Sequence, residues 1–487
     1  MKTRICSHKA AFLQDRLSFL LQLFLLLTTA SAFLGPNLLS VSIPLIGALF
    51  PFRVLLPVTA LLYVLWAAKG HDAPWKDSTA LEKWVYVLIG VMLVCGALSL
   101  PRAIDPGFTF RKLFNLCFDL CFFFLLLRLC RNREVFRRVI AVAVVCMAVL
   151  CVLGVWETFF GGIFNDFYDI YVEHAWLNRY LQFPVVTFGN TNDYASMLLF
   201  VTALFLVARG LGIFGGENRA VKYGPLLLLP PVYFLLTMCS SRINLLAFWI
   251  LLACTLVHDL LRRDLPKWMP AVTVALILAV SFCHRYRDIV VPVQNYLEQA
   301  QEVTFEGLLH ALEEGTTDSA KGPSLQDQFF EQDANGTVSI RKTGSAGERL
   351  LLLLHAADCF AESRGLGVGL GNTEVLAAQR TVVPEWEGER TNSIHCFIAR
   401  IGADYGIFVL IPLCAIVFLL LRRIWEVFWN GCRKKGRTAI ACGLLLFGCT
   451  VIYPLVSTAP SDAQDNLAMW LYLAGMVAVS SVFCRRA

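Results

Sequence analysis

At 487 residues, 57% hydrophobic and only 16% charged, with a mean hydropathy of +0.63, the chain is too apolar for an ordinary soluble protein. Apolar runs of bilayer-crossing length recur throughout, so composition predicts an all-α polytopic membrane protein. The net charge of +6 gathers in short segments between these runs, as cytoplasmic anchors do, and gives no reason to expect nucleic-acid binding.

In chain order, about twelve spans are expected, roughly at 17–34, 51–69, 84–100, 111–130, 135–156, 189–208, 224–240, 243–261, 267–283, 396–421, 438–457 and 465–484. The first, "SFLLQLFLLLTT" followed by "ASA", also fits the apolar core and cleavage site of a signal peptide. "LLSVSIPLIGALF", before Pro51, is short for a span and reads as an interfacial or re-entrant piece. With both termini in the cytoplasm every inner segment is basic, for example Arg128, Arg131, Arg133, Arg137 and Arg138 in one loop and Arg422, Arg423 and Arg433 in another. The outer connections carry few cations, and the exception is the one holding Arg102, Arg111 and Lys112.

Three regions result: an N-terminal bundle of about nine spans at 1–283, a polar extracytoplasmic loop at 284–394, and three C-terminal spans at 395–487. Within the loop "YRDIVVPVQNYLEQAQEVTFEGLLHALEEG" and "ERLLLLLHAADCFAE" read as helices around a polar, flexible middle. "SRGLGVGLGN" alternates glycines without a preceding strand, so a close backbone approach or a bend near a ligand explains it better than nucleotide binding. Of seventeen cysteines most sit inside apolar runs and behave as small hydrophobes; no CxxC pair or zinc spacing supports a metal site.

Polar residues collect at the expected outer ends of spans, where hydrocarbon makes them costly. They are Asn190, Asn192 and Asp193 in "TFGNTNDYA", Ser240, Ser241 and Arg242 in "CSSRINLLAFW", Arg349 on a loop helix, and His395 with Arg400 and Asp404 in "HCFIARIGADYGIF". Each has an ordinary reading: Arg242 as an interface anchor, the asparagines as helix caps, His395 as a hydrogen-bonded interface residue, Arg400 and Asp404 as an i,i+4 pair. Gathered on one face, cations and amides without metal ligands suit a phosphate-bearing anion.

The succession "TFGNTNDYA", "SSR", "SAGERLLLLLHAADCF" with "GLGVGLGN", then "HCFIARIGADYGIF" resembles the O-antigen ligase and O-antigen polymerase superfamily of bacterial membrane glycosyltransferases, over roughly residues 180–425. His395, Asp404 and Gly406 hold the positions of that family's last motif; Cys396 stands for the usual Asn, Asp404 for the commoner Glu, and Thr191 where many members have Pro. The resemblance implies a cofactor- and metal-independent transfer of a glycan from an undecaprenyl-diphosphate donor to an acceptor hydroxyl, on the outer face of a bacterial cytoplasmic membrane. It further implies that Arg242 and Arg349 hold the diphosphate and that His395 acts as general base or orients the donor. Asn190, Asn192 and Ser241 would bind sugar or phosphate, and Asp404 would position His395 or pair with Arg400. A flippase and a chain-length regulator are the partners it implies. Ligase and polymerase differ only in acceptor and both stay open, while a lipid-glycan transporter or flippase is the rival class. Against the rival stand the lack of an internal repeat and of polar groups at the bilayer midplane.

Overall fold

The computed structural model describes residues 16–35, 39–43, 47–72, 74–76, 78–161, 171–174, 179–214, 224–262, 274–275, 277–279, 330–332, 338–340, 345–383, 392–433, 437–460 and 466–480. Helices α1 (Arg16–Phe33), α2 (Pro51–Trp66), α3 (Ala80–Ser99), α4 (Pro106–Leu129) and α5 (Arg133–Phe160) form the first part of the bundle. Next come α6 (Thr191–Gly210), α7 (Leu229–Met238) and α8 (Arg242–Arg262), then α9 (Ser345–Glu362) and α10 (Asn372–Gln379) of the loop region. The chain closes with α11 (Phe397–Tyr405), α12 (Ile407–Arg433), α13 (Arg437–Val456) and α14 (Leu467–Ala478). Three two-stranded antiparallel hairpins are the exceptions to helix: Val41–Ile43 with Gly47–Leu49, Tyr171–His174 with Arg179–Gln182, and Phe330–Gln332 with Val338–Ile340.

Seven of these helices are long and apolar enough to cross a membrane, and three shorter apolar helices accompany them. The chain is an all-α polytopic membrane protein, with helices at every expected span except 267–283, most of which lies outside the described residues. The loop's first expected helix and most of its polar middle also lie outside them. The short piece before Pro51 forms the first hairpin, so its backbone polar groups pair locally.

Helix α6 lies at the centre, with 83% of its apolar stretch buried, because it is hydrophobic on every face. It runs parallel to α8: Asn244 Nδ2 bonds Ser196 Oγ (3.3 Å) at one end, and Arg209 pairs with Asp259 (2.9 Å) at the other. Hydroxyls bonded across helices serve as glue where apolar contact with lipid gives no preference. Thr28 and Thr59 share such a bond (2.8 Å) between α1 and α2, and Trp66 Nε1 donates to Ser18 (3.0 Å).

The expected continuous span over 396–421 is two helices. Gly406, at φ 67°, breaks it, and the following Ile407 N–H leaves the helix to donate to Gly365 O (2.8 Å). This break lets the loop region dock. Leu352, Ala356, Cys359, Ala377, Val383, Ile394 and Ala403 form a second small core joining α9 and α10 to α11. Cys359, solitary in the loop, is fully buried there beside His355 Nε2 (3.4 Å), and burial pushes its thiol up to about 11.

Candidate active site at one end of the bundle

Alternate glycines make the site's floor. Gly365, Gly367, Gly369 and Gly371 all have positive φ, and Val368 N–H and Gly369 N–H donate to Ala403 O (2.8 Å) and Asp404 O (2.9 Å). A Cβ on Gly367 would lie 2.6 Å from both Asp404 O and Gly406 N. The motif is therefore a backbone-on-backbone seam against the end of α11. Gly367→Ala, strained by its φ of 86° and by this contact, should lower stability by about 1–3 kcal/mol, read as a lower melting temperature in detergent.

Beneath the seam runs a buried chain of charges. Lys112 of α4 pairs with Glu374 of α10 (3.4 Å), Glu374 with Arg400 of α11 (3.5 Å), and Arg400 with Asp404 (3.7 Å). Asp404 also accepts from Thr373 Oγ1 (2.6 Å), Thr373 N–H (3.4 Å) and Gly371 N–H (3.2 Å) at the start of α10. Arg400 and Asp404 are almost wholly buried, so the i,i+4 pairing is realised, and as part of a structural network. Asp404 does not reach His395; its carboxylate is spent on α10. Lys112, the cation that sat badly with the expected topology, is there because Glu374 needs a counter-charge.

His395 lies just before α11, half-buried, with Nδ1 donating to Pro460 O (3.2 Å) in the turn after α13. Phe397 N–H donates to Ser457 O (3.4 Å) in the same turn, and the Phe397 ring packs edge-on to Trp470 of α14. A neutral imidazole that donates through Nδ1 carries its basic lone pair on Nε2.

Helices α8 and α13 are antiparallel neighbours: Gly448 abuts Cys254, whose sulfur fills the space a side chain would take. From that contact α8 runs back to Arg242 and α13 runs on to Val456 and the turn holding Pro460, so both lie towards the same end of the bundle. Arg242 and the carbonyl that holds His395 are thus at the same end. Arg242 opens α8 as an exposed side chain, after Ser240 turns the chain in a left-handed conformation (φ 53°). Arg349 is half-buried on α9, one turn before Leu352, on the face that packs into the core containing Ile394, the neighbour of His395. Burial lowers its pKa below the usual guanidinium value without discharging it.

At the same end, Asn190 caps α6 by accepting from Asn192 N–H (2.7 Å), and Ser241 accepts from Asn244 Nδ2 (3.0 Å). Asn190 is therefore a helix cap, Asn192 supplies the N–H it accepts, and both asparagine side chains remain half-exposed. Sequence reasoning missed Glu157 of α5, whose carboxylate accepts from Val185 N–H (3.0 Å) and Val186 N–H (2.5 Å) and so shapes the approach to Asn190. It also missed Asn244, Glu374 and Asn392; Asn392 is buried, and its N–H donates to Glu374 O (3.0 Å). The misplaced Lys112 was the one signal pointing to Glu374. Among the described residues no group of three or more His, Cys, Asp or Glu is arranged to hold a metal ion.

Two arginines and a histidine thus lie towards one end of a polytopic helical membrane bundle. Residues 226–414 match the O-antigen ligase family model. Arg242, Arg349, His395, Arg400 and Asp404 fall inside the matched stretch; Asn190 and Asn192 precede it. No curated protein matches the chain.

Proposed function

We propose that the protein is a membrane glycosyltransferase of the ligase or polymerase type, in the bacterial cytoplasmic membrane, acting on its outer face. The donor is a glycan on undecaprenyl diphosphate and the acceptor a hydroxyl of a second glycan or glycolipid. The observation that carries this reading is that Arg242 and the His395 anchor lie at the same end of the bundle, as does the α9 face that bears Arg349.

In the reaction, His395 Nε2 takes the proton of the acceptor hydroxyl as its oxygen attacks the anomeric carbon. The bond from that carbon to the diphosphate oxygen breaks, and its electron pair leaves with the diphosphate. Arg242 and Arg349 stabilise the negative charge that develops there. Asn190, Asn192 and Ser241 hydrogen-bond sugar or phosphate oxygens, while Arg400 and Asp404 hold α10 and α11 in place behind them.

The test uses purified full-length protein in detergent, an undecaprenyl-diphosphate oligosaccharide and a hydroxyl acceptor, with chelator and without nucleotide. Wild type should transfer the glycan, and His395→Ala should be slower by about 10²–10⁴-fold, the usual worth of a general base. Product size separates single ligation from polymerisation. Transport of the labelled lipid between liposome leaflets, with no transfer by wild type, would replace this reading with the flippase.

A further inference from the structure

The transfer site leaves one group of cations unused. At the end of the bundle where basic residues are expected to be scarce, α2 and α4 and the turn before α4 present Arg53, Arg102 and Arg111. They lie at the same end as the glycine seam, because Ile104 N–H donates to Asn372 Oδ1 (3.0 Å) and Lys112 pairs with Glu374. Lys112 and Arg111 are neighbours with opposite fates. Lys112 points into the protein and is neutralised, whereas Arg111 is exposed and stacks on the Phe108 ring (5.5 Å). Among the described residues no carboxylate pairs with Arg102 or Arg111, and the nearby Asp105 is engaged in capping α4 through Phe108 N–H (2.9 Å).

Arg53 is held against the same face of α4. Its guanidinium donates to Asn115 Oδ1 (2.6 Å), one turn from Arg111, and lies over the Phe114 ring (5.7 Å) and the Phe50 ring (5.5 Å). From this cationic ledge two apolar stripes run towards the other end of the bundle. One, on α4, comprises Phe114 and Phe118, whose ring centroids are 4.8 Å apart at a tilt of 43°; the other, on α2, comprises Val54, Val58 and Leu61, all exposed. Apolar stripes on two packed helices, with guanidiniums at one end, match an amphiphile whose chains lie along the helices and whose phosphate sits at the surface.

We propose that Arg53 and Arg111 form a second anion site, which binds the phosphate-bearing head group of a membrane amphiphile along α2 and α4, apart from the site at Arg242, Arg349 and His395. Its occupant is a lipid rather than a soluble phosphate, because the apolar stripes would otherwise have no part in binding. This holds whether or not the protein transfers glycans.

The experiment titrates full-length protein in a non-ionic detergent with dioleoyl phosphatidic acid, with phosphatidylcholine of the same chains, and with inorganic phosphate, following binding by native mass spectrometry. Phosphatidic acid should bind saturably and more tightly than either other probe. Arg111→Gln should weaken it by about tenfold, the worth of a charge-assisted hydrogen bond, with Arg111→Lys recovering part of the loss. Arg53→Gln combined with Arg111→Gln should abolish saturable binding, and Arg422→Gln, on an exposed pair with Glu426, should leave it unchanged. Equal phosphatidic acid binding by wild type and Arg111→Gln would overturn the proposal, since that residue is exposed and its loss leaves the fold intact. Equal binding of phosphatidylcholine, or of inorganic phosphate, would overturn it as well.

Discussion

Arg242→Ala and Arg349→Ala should each cut glycan transfer by about 10²–10³-fold while the yield of folded protein stays at the wild-type level. The magnitude is that of removing one preorganised donor from a centre of developing negative charge. The two residues reach that effect by different routes. Arg242 is exposed at the tip of α8 and pairs with no carboxylate among the described residues, so its removal costs little stability and the loss should fall on transfer itself. Arg349 is half-buried, and the burial that lowers its pKa also thins the water that would screen its field at an approaching diphosphate. Lysine at either position should restore only part of the activity, because an ammonium cannot match a phosphate with the paired donors of a guanidinium. The assay is single-turnover transfer from the undecaprenyl-diphosphate donor, with size-exclusion profiles confirming folded protein. Wild-type transfer rates in both alanine variants would sink the diphosphate clamp.

The second large effect is on stability. Glu374→Ala should destabilise the protein by about 3–5 kcal/mol, because Arg400 and Lys112 would keep their buried charges and lose the carboxylate between them. Arg400 has no exposed surface, so water cannot replace the lost partner. The measurement is thermal unfolding in detergent, arranged as a double-mutant cycle with Lys112→Ala. Removing Lys112 together with Glu374 should cost less than the sum of the two single changes, since the orphaned ammonium goes with the carboxylate. Strictly additive effects would mean that the pair is not coupled, and that α4 and α10 are joined only through Asn372 and the seam.

These two predictions divide the polar residues of "HCFIARIGADYGIF" by what each one touches. His395 faces the turn after α13, at the same end as Arg242, whereas Arg400 and Asp404, five and nine positions later, face inward to Glu374 and the start of α10. One amphipathic turn thus serves the reacting end and its support at once.

Much of the architecture was legible in the chain. Each long apolar run is a span because hydrocarbon forces the backbone to satisfy itself by helix formation, whatever its neighbours are. Of the three cations in the outer connection that fitted the expected topology least, Arg102, Arg111 and Lys112, the last has a buried partner in Glu374. The candidate residues were also visible by type, since cations, amides and a histidine at span ends stand out against an apolar background. Their pairing was not visible. Arg400 and Asp404 read equally well as ligands or as an ion pair, and only the docking of α10 on α11 decided for the pair. The break at Gly406 was hidden for a related reason: the competing acceptor for the Ile407 N–H is Gly365 O, 42 residues upstream in the chain (365 to 407), and local propensity carries no trace of it. By itself, then, the sequence determined a polytopic helical chain, its spans and the chemistry available at their ends, because bilayer burial acts on each segment alone. Tertiary structure alone decided which polar groups support one another and which are left to meet a substrate, because those choices rest on contacts between segments distant in sequence.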